Sequence, residues 1–144
     1  MHTLIVTGGL GFIGSNLIEL LLKERYRVIN IDKVSYSSNF YNLKDFKKNN
    51  NYKFIKCNLN NNYKLKKIFL KYRPNGIFNL AAETHVDRSI DGPKIFIESN
   101  ILGVFNLLEV FKEYSKKNKK TRLVHISTDE VYGDVLRGRS DENY

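Results

Sequence analysis

The chain has 144 residues, 42% of them apolar, and its 24 Lys and Arg against 15 Asp and Glu give a formal net charge of +9. That length suits one globular domain of about 100–200 residues, and no run of about 18 apolar residues is present to cross a membrane as a helix. Cys57 is the single cysteine, which excludes an internal disulfide and a multi-cysteine metal site; it reads as a small buried apolar residue at a strand end, and no metal is expected.

The predicted elements alternate strand and helix. Leu4–Val6 is an apolar run ended by Gly8-Gly9, and Ile13–Leu22 carries apolar residues at helical spacing, closed by Lys23-Glu24-Arg25. Arg27–Ile31 is a second strand ending at Asp32. Asn39–Lys48 is a short helix followed by the loop Asn49-Asn50-Asn51, and Tyr52–Cys57 is a third strand. Tyr63–Tyr72 is helical, with Leu65, Ile68, Phe69 and Tyr72 on one face, and the turn Arg73-Pro74-Asn75-Gly76 ends it. Ile77–Leu80 is a fourth strand. Pro93 fits the first turn of a long helix running to about Lys117, and Arg122–Ile126 is a fifth strand. Continuous Val/Ile/Leu/Phe strands between helices predict a parallel sheet covered on both faces, a doubly wound α/β domain over residues 1–144.

The positive charge invites a nucleic-acid reading, but the arrangement opposes it. The lysines fall in Lys44/Lys47/Lys48, Lys64/Lys66/Lys67/Lys71 and Lys116/Lys117/Lys119/Lys120, interleaved with asparagine and apolar residues. Such runs are solvated helix faces and helix ends, and no nucleic-acid motif accompanies them. The first residues run straight into a strand without the basic start and longer apolar stretch of a signal peptide, so a cytoplasmic protein with no nucleic-acid or membrane partner is expected.

The sharpest local signal is Thr7-Gly8-Gly9-Leu10-Gly11-Phe12-Ile13-Gly14, between a strand and a helix. Gly8 permits a tight turn. Gly11 lets backbone amides approach a pyrophosphate, and Gly14 lets the helix pack closely on the strand. The phosphates would sit at the helix amino terminus, where unpaired N–H groups and the dipole favour anions. Asp32 stands where a carboxylate accepts from the adenosine ribose hydroxyls and repels a 2′-phosphate, which argues for NAD over NADP. Lys33 softens that argument, since a cation there could hold a phosphate.

Gly8-x-x-Gly11-x-x-Gly14 resembles the turn of the extended short-chain dehydrogenase/reductase family. Further stretches resemble the nucleotide-sugar 4,6-dehydratases within it, in family order and over almost the whole chain. They are Asp32-Lys33, Asn79-Leu80-Ala81-Ala82-Glu83-Thr84-His85-Val86-Asp87-Arg88-Ser89-Ile90, Asn100-Ile101-Leu102-Gly103 and Ser127-Thr128-Asp129-Glu130-Val131-Tyr132-Gly133. His85–Ser89 and Ser127–Glu130 are the specific ones; the glycine turn is widely shared.

The resemblance implies NAD as cofactor, held by Gly8, Gly11, Phe12, Ile13, Gly14, Asp32, Lys33, Asn58, Leu59, Ala81, Ala82 and Asn100. Thr84, His85 and Arg88 would line the sugar-nucleotide site, dTDP-glucose or UDP-glucose being the expected substrate. Thr128, Asp129 and Glu130 would be catalytic. In the implied reaction the C4 hydroxyl is oxidised, water is eliminated across C5 and C6, and C6 is then reduced, giving from dTDP-glucose the 4-keto-6-deoxy sugar. Glu130 would be the base at C5 and Asp129 the acid at C6, roles that two carboxyls divide when their environments separate their pKa values. The residues alone are equally compatible with a turn or cap at Thr128-Asp129-Glu130. By the same resemblance, sugar 4-epimerases lack this acidic pair, while decarboxylases and GDP-mannose dehydratases carry Ser in place of Asp129, the latter also favouring NADP. An epimerase or decarboxylase, and a non-catalytic NAD-binding remnant, are the alternative readings.

The sequence departs from the family pattern in two places. No tyrosine beyond Glu130 is followed four residues later by lysine, because Tyr132 is followed by Leu136 and Tyr144 is the last residue. By resemblance Arg137–Tyr144 is the loop before the helix that carries that pair, and the later strands and substrate domain lie beyond it. The chain alone is expected to be inactive, its fifth strand an exposed edge. The second departure is Asn58, where the family has Asp at the adenine contact. The full-length enzyme is expected to form a homodimer through long helices, of which Pro93–Lys117 is one.

Overall fold

The computed structural model describes residues 1–135 and 138–143. The predicted loop Arg137–Tyr144 therefore lies partly outside the described residues, at Arg137 and Tyr144.

The strands are β1 (Thr3–Thr7), β2 (Arg27–Asp32), β3 (Tyr52–Lys56), β4 (Gly76–Asn79) and β5 (Arg122–His125). They form one parallel sheet in the order β3-β2-β1-β4-β5. The chain thus moves outward from β1 in one direction through β2 and β3, then returns to its other side for β4 and β5. That is the expected doubly wound arrangement, and the reversal beside β1 opens a crevice at the strands' carboxyl ends.

Buried residues pack on both faces of the sheet. Ile5, Ile29, Ile31 and Ile77 pack with Leu65, Ile68 and Phe69 of α2 (Asn62–Tyr72) and with Leu107 and Val110. Val6 and Val28 pack on the other side with Ile18, Leu21 and Leu22 of α1 (Phe12–Lys23). Neighbouring residues of β1 therefore enter different cores, which is why its sequence is apolar without alternation. The outer strands differ from the prediction. In β3 and β5 the residues are half-buried or exposed, because each has a neighbour on one side only. Among the described residues β5 is an edge strand of the sheet.

Helix ends follow their local chemistry. Asn61 caps α2 through its side-chain oxygen, which accepts from the Lys64 N–H, and Arg73 ends it at a left-handed φ of 46° before Pro74. The predicted helix at Asn39–Lys48 is a 3-10 segment over Phe40–Phe46. A short α3 (Val86–Asp91), which the sequence pattern does not predict, precedes α4 (Pro93–Phe96).

The long helix from Pro93 is not continuous. A π-helical segment, Ile97–Leu102, separates α4 from α5 (Gly103–Ser115). The Asn60 amide donates to the Glu98 carbonyl at 3.0 Å, satisfying a group at the widened turn, and its oxygen accepts weakly from Asn106 at 3.4 Å. Apolar periodicity alone does not distinguish such a segment from α-helix.

Candidate functional site

A cleft opens at the carboxyl ends of β1, β2 and β4. Gly8, Gly11, Asp32, Lys33, Asn58, Leu59, Ala81 and Ala82, all predicted from the sequence, line it. Phe12, Ile13, Gly14 and Asn100, also predicted, are not among the residues that line it.

The glycine turn has a specific geometry. Gly8 has φ +69°, and a Cβ there would stand 2.8 Å from the Ala81 Cα and backbone N. Strand β1 therefore ends directly against the chain leaving β4. A Cβ on Gly14 would overlap the Gly8 carbonyl oxygen, so the first turn of α1 is seated on the loop. At Gly11 a Cβ would meet only that same oxygen, at 3.3 Å. The space beside Gly11 is thus largely free. Gly11 is the N-cap of α1 and provides no side-chain cap, and the helix dipole and first-turn N–H groups favour an anion there. Phe12 and Ile13, in that first turn, have exposed side chains.

Asp32 is buried and heavily committed. One carboxylate oxygen accepts from the Leu10 N–H at 3.0 Å; the other accepts from the Val34 N–H at 2.7 Å and the Ser38 hydroxyl at 3.0 Å. These bonds tie the glycine turn to the loop after β2, where Val34 sits at φ +64°, an unusual value for a β-branched residue. Ser35, Ser37 and Ser38 of that loop also line the cleft, and no sequence signal marks them.

Lys33 also lines the cleft, and its ammonium pairs with the buried Glu83 at 2.5 Å and donates to the Ser99 hydroxyl at 2.7 Å. Asn100 braces the same segment. Its oxygen accepts from the Glu83 N–H and its amide donates to the Glu83 carbonyl, both at 2.8 Å. Asn58 spends its side-chain oxygen on the Asn60 N–H at 3.0 Å, an Asx-type turn that sets the cleft wall. Cys57 is buried in that wall, and burial pushes its thiol up.

A polar chain across three strands is likewise invisible in the sequence. The Thr7 hydroxyl donates to the Asn79 side-chain oxygen and accepts from the Ala81 N–H at 3.3 Å, and the Asn79 amide meets the His125 Nδ1 at 2.8 Å. The bonds lock the carboxyl ends of β1, β4 and β5 in register beneath the cleft.

Of the predicted substrate residues, Arg88 lies 3.7 Å from the ring centre of Tyr36 and lines a second recess beside Lys33 and Glu83. Thr84 and His85 are exposed, His85 preceding α3 without capping it. Thr128, Asp129 and Glu130 follow β5. The Thr128 hydroxyl donates to an Asp129 carboxylate oxygen at 3.2 Å and accepts from the Glu130 N–H at 3.3 Å, capping a 3-10 turn over Asp129–Tyr132. The turn-and-cap reading of this triplet is therefore physically present, and both acids are exposed. Among the described residues no cluster of three His, Cys, Asp or Glu could hold a metal ion.

The model of the family described as GDP-mannose 4,6 dehydratase matches residues 5–144. The chain belongs to this family. Among its relatives, the dTDP-glucose 4,6-dehydratase of Salmonella typhimurium is 42% identical over 97% of this chain and 40% of its own length. The crystal structure of dTDP-glucose 4,6-dehydratase from Bacillus anthracis in complex with NAD superposes with a TM-score of 0.81 at 37% identity, covering 99% of this chain and 43% of that one. The UDP-glucose 4-epimerase of Thermus thermophilus, also in complex with NAD, gives 0.82 at 31% identity over 98% of this chain and 43% of that one. This family member spans about 40% of the length of the curated relatives it matches. The resemblance to the extended short-chain family and its dehydratases is thereby borne out.

Proposed function

We propose that the cleft binds NAD and that the chain is the cofactor-binding part of a nucleotide-sugar 4,6-dehydratase acting on dTDP-glucose. The observation that carries this reading is that the unobstructed helix start at Gly11 and the Asp32 side chain line one cleft. A dinucleotide needs both an anion cradle and a ribose acceptor, and here they share a cavity. The NAD-bound dehydratase from Bacillus anthracis supports it.

The residues divide the work. The first turn of α1 takes the pyrophosphate, and Asp32 takes the ribose hydroxyls. Asn58 and Leu59 face the adenine, while Ala81 and Ala82 leave room beside the β4 end. When bound, NAD supplies a hydride acceptor for the sugar C4 and returns the hydride at C6. Glu130 removes the C5 proton, which the C4 ketone has acidified, and Asp129 protonates the departing C6 hydroxyl. Thr128 holds the pair through its bonds to both residues. Thr84, His85 and Arg88 face the sugar nucleotide. The chain spans about 40% of its relatives' length, and on its own it holds cofactor without turning over substrate. The exposed stripe Ile97, Ile101, Phe105 and Leu108 is the face through which the whole enzyme dimerises.

An epimerase is the second reading, favoured by the fold shared with the Thermus thermophilus enzyme. The acidic pair discriminates, because epimerisation needs no elimination. Calorimetric titration with NAD, followed by incubation with dTDP-glucose and assay for the 4-keto product, tests the proposal. Binding without product is expected. Absence of binding would overturn the cofactor assignment, and product would overturn the reading that the chain alone does not turn over substrate.

A further inference from the structure

One stretch of the cleft wall, the loop after β2, would suit a phosphate. Ser35, Ser37 and Ser38 supply hydroxyls, and Lys33 supplies a cation on the same wall. Hydroxyls and an ammonium are the groups that hold a phosphate dianion. Asp32 opposes a phosphate by charge, but its oxygens already accept from Leu10, Val34 and Ser38. The group that alters the balance is Glu83, whose side chain is only 4% exposed against 31% for Lys33. It lies 2.5 Å from the Lys33 ammonium, while Ser99 takes a second ammonium proton at 2.7 Å. Asn100 fixes the Glu83 backbone on both sides, and the side chain projecting from it is buried against Lys33.

We infer that Glu83 is a specificity-determining residue: by neutralising Lys33 and drawing its ammonium toward Ser99, it makes the cleft select NAD over its 2′-phosphorylated form. The selection rests on the proposed binding of NAD in this cleft. A buried carboxylate cancels the Lys33 charge where a 2′-phosphate would need it, and adds its own repulsion. Discrimination of this kind works by opposing the wrong ligand rather than by improving the fit to the right one. Glu83 touches neither ligand in this scheme; it acts through Lys33.

The test is calorimetric titration of the full chain with NAD and with NADP, comparing wild type, Glu83→Gln and the double variant Lys33→Gln/Glu83→Gln. Wild type is expected to favour NAD. Glu83→Gln is expected to shift the NAD-to-NADP affinity ratio toward NADP by about tenfold, the scale of one additional charge-assisted hydrogen bond from the released ammonium to the phosphate. The double variant should lose that shift, and Glu83→Asp should keep the wild-type preference. A general loosening of the site would weaken both ligands together and leave the ratio unmoved. If circular dichroism shows Glu83→Gln unfolded, Glu83→Met, apolar and similar in length, takes its place. An unchanged ratio in a folded variant, or a shift that persists without Lys33, overturns the inference. Failure of wild type to bind NAD overturns the cofactor reading and this inference with it.

Discussion

Asn100 pairs with the backbone of Glu83 through both ends of its carboxamide, each bond 2.8 Å long. The arrangement imitates a strand ladder where β4 has already ended at Asn79. It joins the π-helical segment to the loop that carries Ala81, Ala82 and Thr84. Replacing Asn100 by Ala removes both bonds and leaves the Glu83 backbone groups unpaired. The expected loss is about 1–2 kcal/mol of stability, read by urea unfolding. Asn100→Asp should not rescue it, because a carboxylate cannot donate to the Glu83 carbonyl.

Gly11 and Gly14 separate binding from folding. Gly14→Ala forces a Cβ into the Gly8 carbonyl oxygen and should cost about 1–3 kcal/mol, the usual range for an overpacked site. Gly11→Ala meets that oxygen at 3.3 Å, at an extended φ of −77° that alanine adopts freely. Its melting temperature should stay close to wild type while NAD affinity falls at least about tenfold. Equal effects of both substitutions on melting temperature would contradict this division.

Asp32→Asn tests the weight placed on one carboxylate. Three donors converge on its two oxygens, and an amide offers only one oxygen to them. At least one donor of the turn loses its acceptor, at about 1–3 kcal/mol. NAD affinity should fall as well, so thermal unfolding and calorimetry should both respond.

Burial pushes the Cys57 thiol up, with Lys64 opposing only in part. Burial likewise raises Tyr52 and Tyr114. A group that holds its proton more tightly folded than unfolded stabilises the fold below its ordinary value, and that contribution disappears as pH rises through the raised one. Stability should therefore hold at neutral pH and decline on the alkaline side, past the ordinary thiol and phenol ranges. Cys57→Ala should make the decline shallower in unfolding curves taken from neutral to strongly alkaline pH. Because Cys57 lines the cleft, bound NAD should also slow its reaction with a thiol reagent.

In the full-length enzyme, Glu130→Gln removes the proposed base while keeping its N–H bond to Thr128. The keto product should be lost by at least about a hundredfold, within the range for removing a general base, with NAD binding retained. An unaffected yield would favour the turn-and-cap role alone.

Much of the fold is legible in the sequence because its signals are local. The turn from Thr7 to Gly14 announces itself by spacing, and Asp32 by its place at the end of β2. The core faces of α1 and α2 follow from the spacing of Ile18, Leu21 and Leu22, and of Leu65, Ile68 and Phe69. What stays hidden depends on residues that meet only in space. Nothing in Ala81-Ala82-Glu83-Thr84 says that Lys33 and Asn100 converge on Glu83. The Thr7–Asn79–His125 chain needs the order of β1, β4 and β5 before it can be drawn. The π-helical segment is invisible because a single widened turn barely disturbs apolar periodicity, and its signal, an Asn60 amide aimed at Glu98, is long-range.

The seat of Gly8 against Ala81 has a consequence for how the molecule assembles during synthesis. The glycine turn leaves the ribosome well before the backbone it rests on, and Thr3 leaves it 72 residues before Asn75, whose side-chain oxygen accepts from the Thr3 N–H. α1 and β2 can pair with β1 soon after they emerge, but closing β4 onto β1 must bridge a long loop and is correspondingly slow. Until that event the nascent chain carries a half-sheet whose central strand is still an edge. The ligand cleft is therefore acquired only once β4 has docked, and a nucleotide can report on that docking but cannot help to start the sheet.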